Sequence, residues 1–212
     1  MHYYFITGTS TGLGKAIAEA LLKRDDVHVF GISRTCTIED KRYTHITADL
    51  GDVTQVHQVM DLFPTVEFTT ADSIYLINNA GVVDPILYAT DFTETNIQQV
   101  LQVNLIASIQ LMSAFLKIAS ERCSSRVVIS ISSGAATKVI DGWSLYGASK
   151  AALDHFSRHV ARELEIQKET TTHVYSVAPG VVDTPCKLKY AKYQNMGSRH
   201  EIGLLICLQT IN

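Results

Sequence analysis

Short apolar runs rich in aromatic and β-branched residues recur along the chain, and between them apolar side chains return every three or four positions. The runs are Tyr3–Ile6, Val27–Ile32, Tyr43–Ala48, Ser73–Ile77, Arg126–Ile131 and His173–Val177. Such short, nearly unbroken runs predict strands buried on both faces. The stretches between them predict helices. Leu13, Ile17 and Leu21 mark one after the first run, and a second spans about Thr54 to Phe63. A long one runs from about Phe92 to Ala119, with Val100, Leu101, Leu105, Ile109, Met112, Leu116 and Ile118 as its apolar members. Another covers Gly147 to Gln167, with Leu153, Phe156, Val160 and Leu164 on one face. Strands alternating with helices throughout predict an α/β fold, a single-domain doubly wound parallel sheet with helices on both faces. Ligands bind such sheets outside the carboxyl ends of the strands. The residues that follow each run are therefore where chemistry is to be sought.

Composition narrows the function classes. At 212 residues, with 46% apolar and 18% charged positions, the chain suits one globular domain with a sizeable core. A net charge of -3 with scattered Lys and Arg gives no electrostatic footprint for nucleic acid. No apolar run approaches the roughly 18 residues needed to span a bilayer, and the N-terminus lacks the pattern of a secretory signal. Cys36, Cys123, Cys186 and Cys207 form no Cys-x-x-Cys pair, so a reducing cytoplasm is the simpler reading than disulfides or zinc. The eight histidines are scattered, none at His-x-x-x-His spacing with a third plausible ligand nearby, and no metal is assigned.

The first run ends in Thr7-Gly8-Thr9-Ser10-Thr11-Gly12-Leu13-Gly14, directly before a helical pattern. Glycines there permit a tight turn and close backbone approach, and the free N–H groups of a helix start attract phosphate. Strand, glycine-rich turn and helix in that order favours nucleotide binding over a plain connection. After the second run comes Ser33-Arg34-Thr35, with no acid to accept from a ribose hydroxyl. Arg34 is a planar cation suited to a 2′-phosphate, which favours NADPH over NADH; the alternative is a solvated surface Arg. Thr11 stands where a second base before Gly12 would reinforce this, and Lys15 lies nearby. Asp49 after the third run can accept from an adenine amino group, while either Asp49 or Asp52 can cap the next helix. Asn78-Asn79-Ala80-Gly81 follows the fourth run, where small residues and amides let a cofactor approach and tie strand ends together. Asn104 interrupts the apolar series of the long helix, marking a structural water, a helix bulge or a site.

The fifth run feeds Ser132-Ser133, and Tyr146 follows Ser133 by thirteen residues. Tyr146 and Lys150, four apart, share one helical face with the phenol and ammonium able to approach one point. A phenol has an ordinary pKa of about 10, and lowering it by about 3 takes roughly 4 kcal/mol, within reach of a desolvated Lys and a second positive group. The spacing suits a tuned acid/base, or an ordinary helix start. Ser133 reads as a substrate-orienting hydroxyl or a capping serine, and Ser132 as its neighbour on the opposite face.

Together Thr7-Gly8-x-x-x-Gly12-x-Gly14, Asp49-Leu50, Asn78-Asn79-Ala80-Gly81, Asn104, Ser133, Tyr146-x-x-x-Lys150 and Pro179-Gly180 resemble the short-chain dehydrogenase/reductase family over roughly residues 3 to 185. Ile131-Ser132-Ser133-Gly134-Ala135, Gly142-Trp143 and Pro179-Gly180-Val181-Val182-Asp183-Thr184 look most like its NADPH-dependent benzil and sepiapterin reductase branch. The resemblance implies a Rossmann-fold dinucleotide-binding and catalytic domain over residues 1–185. In the implied chemistry Tyr146 gives its proton to a carbonyl oxygen as the nicotinamide passes hydride to the carbon. Lys150 tunes Tyr146 and holds the nicotinamide ribose, Ser133 orients the carbonyl, and Asn104 positions a water that links Lys150 to solvent. Gly8, Ser10, Gly12, Leu13 and Gly14 would follow the pyrophosphate, Ser33 and Arg34 the 2′-phosphate, and Asp49 and Leu50 the adenine. Asn79, Ala80, Gly81, Tyr146, Lys150, Pro179, Gly180, Val182 and Thr184 would line the nicotinamide half. Trp143, Ile140, Val83, Ile86 and Val181 are candidates for an apolar substrate pocket.

Family members usually continue with another helix and a final strand, whereas residues 186–212 read as a shortened substrate loop and tail without them. The function implied is a cytoplasmic NADPH-dependent carbonyl reductase acting on a small apolar ketone or diketone, as a homodimer if it pairs, with no nucleic acid or membrane partner. The alternatives are oxidation of a secondary alcohol with NAD(P)+, or a cofactor-binding regulatory protein with little turnover.

Overall fold

The computed structural model describes residues 1–68, 71–118 and 123–180. Each apolar run contains a strand: β1 (His2–Thr7), β2 (Val27–Ser33), β3 (Tyr43–Thr47), β4 (Ala71–Asn78), β5 (Cys123–Ile131) and β6 (Thr172–Val177). They form one sheet in the order β3-β2-β1-β4-β5-β6, with every neighbouring pair parallel. This is the doubly wound order in which the strand sequence reverses between β1 and β4, opening a crevice at their carboxyl ends. β5 starts at Cys123, three residues before the expected Arg126.

The helices are α1 (Gly12–Leu21), α2 (Val53–Leu62), α3 (Glu94–Leu101), α4 (Ala107–Leu116) and α5 (Ser144–Ile166). Side chains alternate across the strands, so the sheet carries two cores. On one face Ile17, Ala18 and Leu21 of α1 join Tyr4, Ile6, Val27 and Val29. On the other, Phe5, Ile32, Ile74, Leu76 and Val128 meet Val56 and Val59 of α2, Leu111, Met112 and Phe115 of α4, and Val160 of α5. Phe5 is fully buried at the centre of an aromatic cluster. Its ring lies 4.7 Å from Phe30, 4.9 Å from Phe63 and 6.4 Å from Phe115.

The long helix expected from Phe92 starts at Glu94 and is not one regular helix. A π-helical turn, Gln102–Ile106, separates α3 from α4, and the fully buried Asn104 sits in it. The polar interruption in the apolar series therefore marks a bulge. Ala119, its expected end, lies outside the described residues. Glu94–Leu116 as a whole is 23 residues with a mean hydropathy of 1.4 in its most apolar window, long and apolar enough to cross a bilayer. That corrects the expectation that no segment approaches this length. Of that window, 44% is buried inside the protein, against α2 and α5, as a core helix would be.

α5 begins at Ser144, three residues before the expected Gly147, with Trp143 at its N-cap. At the opposite end of the sheet the buried Arg126 donates to Leu116 O at 3.1 Å and Ile118 O at 2.5 Å, and pairs with Glu169 at 3.2 Å. It so satisfies carbonyls at the C-terminal end of α4. The shortened tail, the missing last helix and strand, and Val181, Val182 and Thr184 fall outside the described residues.

Phe5→Ala should lower the stability of the fold by about 4 kcal/mol, because the surrounding rings cannot collapse fully into the space. The shift of the urea unfolding midpoint measures it, and a loss under about 1 kcal/mol would show that the cluster repacks.

Candidate active site

The crevice is closed at its base by one hydroxyl. Thr7 Oγ1 accepts from Asn79 N and Ala80 N, each at 2.9 Å, and donates to Ile77 O at 3.4 Å. The Asn79 amide returns the tie by donating to Thr7 O at 2.8 Å. Both tight contacts of the glycine turn press on this pair. Gly8, at φ +75, would bring a Cβ within 2.9 Å of Asn79 Nδ2, and a Cβ on Gly14 would sit 2.4 Å from both Asn79 Nδ2 and Gly8 O. Gly14 does not line the crevice: it is buried, and its missing side chain lets α1 start this close to β1. Gly8, Ser10, Gly12 and Leu13 do line it. The α1 N-terminus has no side-chain cap and no acid in its first turn, so its N–H groups remain available to an anion.

The next wall is built by a chain of hydrogen bonds that the sequence did not reveal. Ser33 Oγ donates to Thr35 O at 3.0 Å. A hydroxyl has one proton, so Ser33 must accept from Thr9 Oγ1 at 3.3 Å and from His45 Nε2 at 3.1 Å. Thr9, having donated, accepts from Tyr43 OH at 2.8 Å. Burial raises the Tyr43 phenol above its ordinary pKa and keeps it a donor. Gly31 makes this possible, since any Cβ there would fall 1.9 Å from the Tyr43 oxygen. Ser33 lines the crevice but is only 6% exposed, and its proton goes to Thr35 O, so it braces the loop that carries Arg34. Arg34 itself is exposed on the crevice, with no ion pair or hydrogen bond among the described residues.

Asp49 and Leu50 also line the crevice. The choice of cap for α2 falls to Asp52, whose Oδ1 accepts from Thr54 N at 2.8 Å. The Gln55 amide and the Thr54 N–H hold the Asp52 carboxyl below its ordinary pKa, the Gln55 bond contributing most. One Asp49 oxygen accepts from Gly51 N at 2.9 Å.

Past the switch point, Ala80 and Gly81 face Lys150, Ser133 and Tyr146 across the crevice. Lys150 is 3% exposed, and its Nζ donates to Ile131 O at 2.8 Å. The same Nζ lies 5.9 Å from the centre of the Tyr146 ring, so helical spacing does bring ammonium and phenol together. A Cβ on Gly81 would be 3.3 Å from Nζ, which leaves that approach to glycine. Asn104 stands behind them, outside the crevice lining. Its Oδ1 accepts from Val82 N at 2.7 Å, and its Nδ2 donates to Val82 O at 2.8 Å and Ser149 Oγ at 3.0 Å. Ser149 in turn donates to Tyr146 O at 2.7 Å. The bulge thus clamps the loop after β4 to the first turn of α5.

Ser133 Oγ accepts from Ala135 N at 3.2 Å, capping a short 3₁₀ turn. The capping reading holds, yet it uses only a lone pair and leaves the hydroxyl proton for another acceptor. Ser132 is buried at 5% exposure, and its Oγ has no hydrogen-bond partner among the described residues. The rings of Trp143 and Tyr146 meet edge to face at 5.2 Å. Trp143, Ile140, Val83, Pro179 and Gly180 line the crevice; Ile86 does not, and it occupies the notch at Gly142 instead. Sequence reasoning quoted Thr7 only as part of the glycine motif and missed its role, and it missed Thr9, Tyr43, His45 and Ser149; these act through hydroxyls and a ring nitrogen within or beside regular elements. Gly31 inside a strand was the one available signal, since it implies a close approach.

The family model described as short chain dehydrogenase matches residues 3–195. A benzil reductase ((S)-benzoin forming) of Bacillus subtilis is 38% identical over 187 residues, covering 87% of this chain and 76% of that protein. A protein of the same name from Bacillus cereus is 35% identical over 196 residues, covering 87% and 77%. The crystal structure of a short-chain dehydrogenase/reductase from Burkholderia vietnamiensis superposes with a TM-score of 0.75 at 31% identity, covering 95% of this chain and 96% of that one.

Gly14→Ala should destabilise the protein and weaken nucleotide binding together, because the added methyl must displace backbone at 2.4 Å rather than a flexible side chain. A melting temperature lowered by several degrees, with the binding isotherm for a dinucleotide shifted at least tenfold, is the expected result. An unchanged pair would mean the turn relaxes.

Proposed function

Because the chain belongs to the short-chain dehydrogenase/reductase family, we propose that it is an NADPH-dependent carbonyl reductase for small apolar ketones or diketones. The single observation that carries the reading is Lys150. Its buried ammonium is anchored on the Ile131 carbonyl, beside a phenol that faces the same crevice as the Ser133 hydroxyl.

The crevice fits a dinucleotide. The uncapped start of α1 and the glycine turn would hold the pyrophosphate, Arg34 the 2′-phosphate, and Asp49 and Leu50 the adenine. Asn79, Ala80, Gly81, Pro179 and Gly180 would lie along the nicotinamide half, with Val182 and Thr184 as further proposed contacts. Bound there, the reduced nicotinamide supplies the hydride. Everything else falls to the protein. Ser133 donates its free proton to the substrate carbonyl and fixes its direction, while Tyr146 transfers its own proton to the oxygen on which charge develops. The Lys150 ammonium stabilises the phenolate left behind and bonds the nicotinamide ribose. Asn104 keeps the two helical turns in register, and the second lone pair of its Oδ1 is open to the water through which Lys150 exchanges protons with solvent. Trp143, Ile140 and Val83 offer an apolar, partly aromatic wall, and the resemblance to two benzil reductases supports a diketone as first substrate to try. The cytoplasm is the proposed compartment, supported by the free thiols of Cys36 and Cys123. Pairing of two copies is part of the same reading.

With NADPH and benzil, absorbance at the reduced-cofactor band should fall over time. Tyr146→Phe should lower kcat by at least a thousandfold and leave NADPH affinity within threefold, which separates the proton donor from the binding site. Binding without turnover across a panel of diketones and aromatic ketones would replace this reading with a regulatory one. Arg34→Ala should raise the Kd for NADPH about tenfold or more and leave that for NADH nearly unchanged; equal effects on both would remove the phosphate assignment.

A further inference from the structure

The outer face of α5 carries a feature that the crevice does not use. His155 and His159 are four residues apart, both are exposed, and their Nε2 atoms lie 3.0 Å from each other. The rings meet at a centroid distance of 4.5 Å and 66° between planes. Neither histidine lines the crevice. His155 stands nine residues after Tyr146, about 13 Å along the helix axis at 1.5 Å per residue.

Two imidazoles in this contact can share only one proton: one Nε2 must donate and the other accept. The pair therefore holds one donor and one acceptor at the same instant, with one lone pair already directed at its neighbour. That is the arrangement from which two nitrogens close on one ion. The N–H tautomer moves from Nε2 to Nδ1 on the donor ring, both Nε2 lone pairs turn outward, and the ion exchanges two of its waters for two nitrogens. No proton is gained or lost.

We propose that His155 and His159 form a bidentate site for a divalent transition-metal ion, Cu(II) foremost and Ni(II) next. The separation is close to what adjacent positions on one ion require. Metal–nitrogen bonds of about 2.05 Å spanning a 3.0 Å gap subtend about 94° at the metal. Adjacent positions of a square-planar or octahedral ion are about 90° apart, whereas a tetrahedral ion needs nitrogens about 3.3 Å apart. Imidazole ligands and the general affinity order of divalent ions point the same way, with Cu(II) above Ni(II) and Zn(II). The described residues contain no group of three or more His, Cys, Asp or Glu able to hold an ion, so water completes the coordination shell. The chelate closes one turn of the same helix that carries Tyr146 and Lys150 at its start, and so staples the middle of α5.

Calorimetric titration of the full chain with nickel sulfate, and then with copper sulfate, tests the site. The wild type should bind one equivalent of Ni(II), and His155→Gln and His159→Gln should each weaken it at least tenfold. At nickel concentrations a hundredfold above Kd, the wild type should melt about 5 °C higher, with no rise in either variant. Circular dichroism of the variants without metal should match the wild type, as expected for exposed positions. Equal nickel affinity in the wild type and both variants would overturn the site. Zn(II) binding tighter than Ni(II) and Cu(II) would overturn the geometric selection of the ion.

Discussion

The hydroxyl of Thr7 is the constraint from which the rest of the crevice follows. A parallel sheet that reverses its order must spread the carboxyl ends of neighbouring strands, and the gap leaves backbone N–H groups there without a ladder partner. Thr7 Oγ1 takes Asn79 N and Ala80 N, while Asn79 answers with its side chain into Thr7 O. The ends of β1 and β4 are thus separated by a fixed amount. The glycine turn and α1 are docked against that fixed edge, which is why Gly8 and Gly14 have no room for a methyl group.

A second principle organises the walls: several polar side chains in and behind them are held by the protein itself, which leaves other groups to face the crevice. Asn104 and Ser149 are engaged with Val82 and Tyr146, and Ser33 is engaged with Thr35, Thr9 and His45. What remains toward the crevice includes the Ser133 proton, the Ser132 hydroxyl, the uncapped N–H groups of α1 and the exposed Arg34. Pre-organised groups of this kind need no rearrangement when charge develops beside them. The π-helical turn is the mechanical means, since an extra residue in the turn presents Asn104 to the loop after β4 and to α5 at once.

Most of the architecture was legible because its causes are local. Apolar runs located all six strands, and the Tyr146–Lys150 spacing located the face on which ammonium and phenol meet. Asn104 was legible as an anomaly for the same reason, one polar residue in an apolar series, but the sequence left water, bulge and site open and the structure shows the bulge. Boundaries were less so: α5 begins at Ser144, three residues before Gly147, with Trp143 at its N-cap and its ring against Tyr146 one turn on. The roles of Asp49 and Asp52 depended on which carboxylate reached Thr54 N, and either spacing allowed it. The Tyr43–Thr9–Ser33–His45 chain joins three separate segments, the turn after β1, β2 and β3, and no property of one segment announces it. Counting unbroken apolar runs passed over the long helix as a span, because Gln and Asn interrupt the series although one window across it averages apolar.

Arg126 sets where the molecule is free to breathe. One buried guanidinium joins the C-terminal end of α4, the start of β5 and Glu169 beyond α5, all at the amino end of the sheet. Opening either helix from that end breaks the same bonds, so the two should fray as one cooperative unit with slow amide exchange. The turns that line the crevice occupy the other end, where loops rather than a shared ion pair hold the chain. Motions that admit and release ligands can then occur there without loosening the base on which the sheet rests.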